Sequence, residues 1–278
     1  MKELLLNEII PFIGESSPYV YIPENIISID GDKIEIEIKS ENFSNEKFAD
    51  LIQILSSIGS FSLHNKLEGN KEKRFYLGEK LRIRRCCYAE ISPNLIINSS
   101  SILESKRKGK SFLNIFNSLT KELLFTFELD YYIIDKNSFE NLYDGIRIEY
   151  ETGFNKFLPL SEIHIKNDSF YKISVGEFDQ NQCAGHFDNY PIVPAVFITK
   201  CMLQEIIKHS EIDEKLMNID IDCLEMFLIK AMPINTKLFI EVQFDAVLKN
   251  IQHYKCKVID ANNEVYGYYL ITLKTSKK

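Results

Sequence analysis

One order of structural signals occurs twice along this chain, and that repetition limits the folds open to it more than any single residue does. In the second half, Ser161–Lys166 and Phe170–Val175 alternate apolar and polar side chains as half-buried strands do. A helical run follows from 194 to about 209, then a polar connection over 211–217. Four β-rich stretches come next, at 220–229, 238–248, 252–261 and 266–275. The turn signals Pro233-Ile234-Asn235, Lys249-Asn250 and Asn262-Asn263 separate them. The first half gives the same order more loosely. Residues 27–39 read as a strand pair turning at Gly31-Asp32. Residues 48–63 carry Phe48, Leu51, Ile52, Leu55 and Ile58 at helical spacing. Strands are expected at 81–90, 94–105, 111–119 and 123–134, whereas 135–158 has no period and reads as a connection. The expected division is therefore one unit over 1–135, a linker over 136–158 and a second unit over 159–278.

The second half also holds the segment richest in chemistry. Gly185, His186 and Phe187 form a turn-like start, Pro191 and Pro194 follow, and an apolar helix begins. Proline suits the start of a helix because no intrahelical bond is lost there. The amides of Ala195 and Val196 are then free donors at the positive end of a helix dipole. A histidine beside such donors can act as a base while they hold a carbonyl oxygen that gains negative charge. That combination suits an acyl thioester.

On these residues the segment resembles the active-site stretch of the hotdog-fold 3-hydroxyacyl-(acyl carrier protein) dehydratases. Their pattern runs Gly-His-Phe-x-x-x-Pro-x-x-Pro-Gly, followed by a helix bearing a carboxylate and, one turn later, a Gln. Gly185, His186, Phe187, Pro191, Pro194 and Gln204 fall on it, while Ala195 replaces the last glycine and Lys200 the carboxylate. Met232-Pro233-Ile234-Asn235 resembles the approach of these enzymes to their third strand. The resemblance implies an α+β double hotdog: two antiparallel sheets, each wrapped around a long central helix and joined as a pseudo-dimer. Such a sheet exposes an edge strand that pairing with a second copy hides.

The resemblance further implies a site between the halves, with His186 as base facing the first-half helix. Aligning that helix on Ser57-Ile58-Gly59 puts Gln53 at the carboxylate position; aligning on Asn42-Phe43 puts Ser56 there. Asp50, one turn away, is the nearest acid. The expected binding residues are Gly185, Phe187, Pro194, Ala195, Val196, Lys200, Gln204 and Gln53. Lys200 is read as exposed, as a holder of a substrate carboxylate or phosphate, or as a base. Dehydration of a 3-hydroxyacyl thioester on acyl carrier protein or CoA is the first expectation. The missing carboxylate keeps acyl transfer or hydrolysis open as the alternative, as does a general likeness to A-factor butenolide synthases and to avirulence protein D. A non-catalytic acyl-binding hotdog is a third reading.

Composition narrows the partners. A net charge of −7 argues against a nucleic-acid partner. The basic run Lys106-Arg107-Lys108-Gly109-Lys110 reads as a solvated hairpin tip or as a dock for an acidic carrier. Six cysteines form no CxxC pair and no His cluster accompanies them, so no metal is expected. Cys183 reads as a buried thiol or a nucleophile, and the histidines other than His186 read as structural. Neither a signal peptide nor a run of membrane-spanning length is read from the sequence, giving the expectation of a cytoplasmic protein without a membrane partner. No cofactor is expected beyond the pantetheine arm of the substrate. A monomeric pseudo-dimer or a homodimer is expected.

Overall fold

A computed structural model of the protein describes residues 8–43, 47–67, 71–148, 154–155, 157–167, 169–210, 217–248 and 250–277. The strands are β1 (Asn25–Asp30), β2 (Lys33–Lys39), β3 (Arg74–Arg85), β4 (Asn94–Ser105), β5 (Lys108–Asn117), β6 (Leu123–Asp135), β7 (Ser161–Lys166) and β8 (Phe170–Val175). They continue with β9 (Ile192–Val193), β10 (Met217–Leu228), β11 (Met232–Pro233), β12 (Leu238–Leu248), β13 (Ile251–Asp260) and β14 (Val265–Lys277). The helices are α1 (Phe48–Lys66), α2 (Lys136–Tyr143) and α3 (Ala195–His209).

Twelve strands form one antiparallel sheet in the order β1-β2-β4-β5-β6-β3-β10-β14-β13-β12-β8-β7. Counted inward from either edge, leaving out the short β9 and β11, each half runs first, second, fourth, fifth, sixth, third. The repeat read from the sequence is thus a repeat of topology. The third long strand of each half meets the other at the centre, where Leu224 pairs with Ile83 and Met226 with Leu81. The two expected sheets are therefore continuous. Hydrogen bonding across β3 and β10 removes what would otherwise be an open edge on each half.

Two sequence expectations change. β3 starts at Arg74, seven residues before the expected 81. The added stretch is irregular, with a register shift between Gly78 and Lys80, so alternation alone misses it. The 136–158 connection opens with α2, where the Asp135 carboxylate accepts from the Ser138 amide as an N-cap. Residues 149–153 and 156 of that connection, and most of the polar connection at 211–217, lie outside the described residues.

α1 lies over β4 and β5 with Leu51, Ile52, Leu55 and Ile58 fully buried, and it also packs against α3. A run of hydroxyls clips α1 to the sheet: Ser62 Oγ to Ser101 Oγ at 2.8 Å, Ser101 Oγ to Ser111 Oγ at 2.8 Å, and Ser111 Oγ donating to Gly59 O at 2.8 Å. Gly59 is needed for close approach, since a Cβ there would meet the Tyr131 hydroxyl at 2.6 Å. That hydroxyl donates to Ser56 O at 2.9 Å. The polar clip thus fixes how the α1 serines and Tyr131 face the space between the halves.

Candidate active site

The His186 turn is over-determined by its neighbours. Gly185 sits at φ 85°, and Phe187 and Asp188 follow at 58° and 50°, all in the left-handed region that costs a side chain energy. Ser16 N donates to Gly185 O at 2.8 Å, and a Cβ on Gly185 would meet Ser16 O at 2.5 Å. The segment before β1 therefore lies directly on the turn. An ion pair between Lys73 and Asp188 holds its other side.

His186 is 8% exposed, with Tyr19 and Phe187 beside it at ring-centroid distances of 4.5 and 4.0 Å. Its Nδ1 lies 2.8 Å from the Ile192 carbonyl, which can only accept. Nδ1 therefore carries the proton and Nε2 keeps its lone pair. Burial pulls the imidazole down to about 4, with the Ile192 bond opposing the shift, so the ring is neutral at physiological pH. Ile192 belongs to β9, paired with β11 as Met232 with Val193 and Pro233 with Ile192. That ribbon fixes the carbonyl that orients the imidazole.

His186 lines a pocket of about 370 Å³ built from both halves. Ser56 and Ser60 come from α1, Leu77 and Leu81 from β3, Leu129 and Tyr131 from β6, and Met226 and Leu228 from β10. Phe187, Ala195 and Val196 contribute from the His186 side. Among the described residues no acceptor engages the amide of Ala195 or Val196, and Pro194 supplies no side-chain cap. Both donors stand at the start of α3, where its dipole favours negative charge.

Sequence reasoning missed Glu15. This carboxyl lines the same pocket, and burial, then the negative charge of Asp188, push it up to about 8. It is a neutral acid at pH 7, able to donate a proton or a hydrogen bond. Glu15 belongs to neither repeat, and only packing of its segment on Gly185 brings it here. Tyr19, Tyr76 and Tyr131 are likewise pocket residues, each with its phenol pushed up chiefly by burial.

The other expected residues divide. Gly185 and Pro194 shape the turn and the helix start from behind. Gln53 donates to Tyr19 O at 2.6 Å and so positions the Tyr19 segment instead of facing the pocket. Ser56, the other candidate for the carboxylate position, does line it; the Asn42 and Phe43 side chains behind that alignment lie outside the described residues.

Asp50 is not with His186. It pairs with Lys200 at 3.0 Å, across the contact between α1 and α3. Lys200 and Gln204 line a separate open cleft of about 1310 Å³ with Arg85, Tyr88, Asp220 and Lys274. The acid expected from Asp50 and the binding roles expected for Lys200 and Gln204 therefore belong elsewhere. Glu205, one position past Gln204, is buried and accepts from Ser161 Oγ at 3.0 Å. Cys183 is buried with its thiol pushed up to about 12, mainly by burial, which suits packing and not attack. The basic run turns out to be the β4–β5 hairpin tip, where Lys108 and Lys110 pair with Glu79 and Asp130.

Comparison with known proteins now bears on this geometry. The chain matches no protein-family model and no curated protein sequence. Solved structures do match. An acyl-CoA thioesterase II from Mycobacterium marinum superposes with a TM-score of 0.54 and 7% identity, over 91% of this chain and 96% of that one. The 12:0-ACP thioesterase from Umbellularia californica gives 0.56 and 6%, over 88% and 95%. An acyl-ACP thioesterase from Bacteroides thetaiotaomicron gives 0.50 and 9%, over 87% and 98%. The chain shares the hotdog-type fold of these thioesterases. The resemblance to dehydratases continues to rest on the sequence at 185–204 and 232–235. Among the described residues no helix is long and apolar enough to cross a membrane, and no group of three or more His, Cys, Asp or Glu could hold a metal.

Proposed function

We propose that this protein acts on an acyl thioester of CoA or acyl carrier protein and hydrolyses it. The observation that carries the reading is the pocket in which a neutral His186, with Nε2 free, stands beside two uncommitted amides at the start of α3. The names of the structural neighbours support it. The thioester oxygen accepts from Ala195 and Val196, and His186 Nε2 takes a proton from the attacking water. The imidazolium so formed lies near the tetrahedral oxyanion, whose charge offsets the penalty that burial places on the cation. Collapse of the intermediate breaks the C–S bond, the proton passes to sulfur, and the free acid leaves. The pantetheine arm arrives past Lys80 and Lys230, partly exposed cations on the pocket rim that suit its phosphate.

One observation favours a second reading. Glu15 is the protonated acid that dehydration needs: His186 would take the proton alpha to the carbonyl while Glu15 protonates the departing 3-hydroxyl. One experiment decides between them. Purified protein and His186→Ala are incubated with acyl-CoA and 3-hydroxyacyl-CoA, and products are read by mass and by free-thiol release. Histidine-dependent thiol release is the expected result. Loss of water without thiol release establishes the second reading, and no change of either kind rejects both.

A further inference from the structure

Several polar side chains of the His186 pocket neighbour one another in a row, within a lining that also holds Leu77, Leu81, Leu129, Met226 and Leu228. The row starts at His186, whose ring stands 4.5 Å from that of Tyr19. Glu15 acts electrostatically on both Tyr19 and Tyr131. The Tyr131 and Tyr76 rings lie 6.0 Å apart, and Tyr76 Oη lies 2.7 Å from Nδ1 of the buried His64. Ser56 completes the wall on α1.

An acyl chain that enters the pocket past the histidine shares it with these groups. The Ser56 hydroxyl already donates to Ile52 O at 2.8 Å, and Tyr131 to Ser56 O at 2.9 Å, so on these groups only lone pairs remain to be offered. The neutral Glu15 carboxyl adds a donor. A wall offering both acceptors and a donor is satisfied by a hydroxyl, or by a carbonyl through Glu15. A methylene chain packed there would cover polar groups without replacing their hydrogen bonds to water. The volume of about 370 Å³ lies near the small end of ligand pockets, about 300–1,000 Å³, and pantetheine occupies part of it.

We infer that the acyl group taken by this pocket is short and carries its own oxygen on the chain, a hydroxyl or keto group recognised by Glu15, Tyr76 and Ser56, in place of a long saturated chain. The inference rests on the acyl-thioester reading above and names the substrate class of that site. It sets the pocket apart from the neighbour whose name specifies a 12:0 substrate.

The test separates binding from turnover. The full chain is titrated calorimetrically with CoA analogues in which a methylene replaces the thioester sulfur, so that the C–S bond is absent and cannot be hydrolysed. The acyl groups are 3-hydroxybutyryl, butyryl and dodecanoyl. The 3-hydroxybutyryl analogue is expected to bind at least about tenfold tighter than butyryl, with dodecanoyl weakest. In Tyr76→Phe and Glu15→Leu that preference should fall toward unity while butyryl binding is retained. Equal binding of the two short analogues, or tighter binding of dodecanoyl, overturns the inference and leaves the thioester reading standing. Failure of all three to bind overturns the thioester reading itself. If Tyr76→Phe does not fold, Glu15→Leu alone reads the same ratio.

Discussion

The two clefts beside the seam show how one topology is put to unlike uses. Each lies where β3 and β10 meet, and each takes residues from both halves. One is lined by a buried imidazole, a neutral carboxyl and phenols. The other is laced with the ion pairs Lys200–Asp50 and Arg85–Asp220. Burial is the difference that matters. In the first it shifts His186 and Glu15 away from their ordinary values, in opposite directions, and both end neutral. In the second, water screens charges that compensate one another. The helix repeats, but only one copy is preceded by a turn that sets a histidine against it.

Substitutions can break this comparison. The largest effect is expected for His186→Ala, which should lower turnover by about 10²–10⁴-fold with the fold intact by circular dichroism.

Next comes Glu15, through pH. Its folded carboxyl titrates at about 8 against an ordinary 4.5, so between these values the folded state holds a proton that the unfolded chain has released. Stability therefore falls as pH rises from about 4.5 to 8. His186, lowered from 6.5 to about 4, works the other way, with stability rising with pH over that window. Between pH 6.5 and 8 the carboxyl acts alone of the two. Glu15→Gln should flatten the loss there, on the order of 1.5–2 kcal/mol, in urea unfolding followed across pH. A wild-type curve that is flat over that range sinks the assignment of Glu15 as a neutral acid.

Gly185→Ala comes third. It forces a Cβ against Ser16 O at a left-handed φ and should cost about 1–3 kcal/mol, read as a lower urea midpoint. Smallest is the open cleft. Its Lys200–Asp50 pair is 31% and 42% exposed. Lys200→Ala should change stability by about 0–1 kcal/mol and turnover by no more than about twofold. A large loss of turnover would move the working site to that cleft.

Much of this was readable from local pattern. Alternation located most of the strands, apolar spacing located α1 and α3, and the Gly185-His186 and Pro194 pattern pointed to a histidine beside a helix start. What failed to show was whatever depends on distant segments meeting. Lys200 was visible as a departure from a motif, but its partner Asp50 lies 150 positions away, and nothing near either announces the pair. Glu15 is a lone acid between Gly14 and Ser16 in a stretch with no period. Its significance comes entirely from burial, which a chain acquires only on folding. Tyr76 was missed because the irregular start of β3 breaks the alternation by which a strand is recognised.

The contact of Ser16 with Gly185 also carries a consequence for biosynthesis. Glu15 leaves the ribosome 171 residues ahead of His186, so the turn it packs against is made only when the second half emerges. A chain halted between the halves would hold the acid without the histidine. In an assembly of two identical single-hotdog subunits, every finished subunit brings a complete set of parts. Here synthesis of both halves is a condition for a working pocket, so a product halted between them should be inert, not half active.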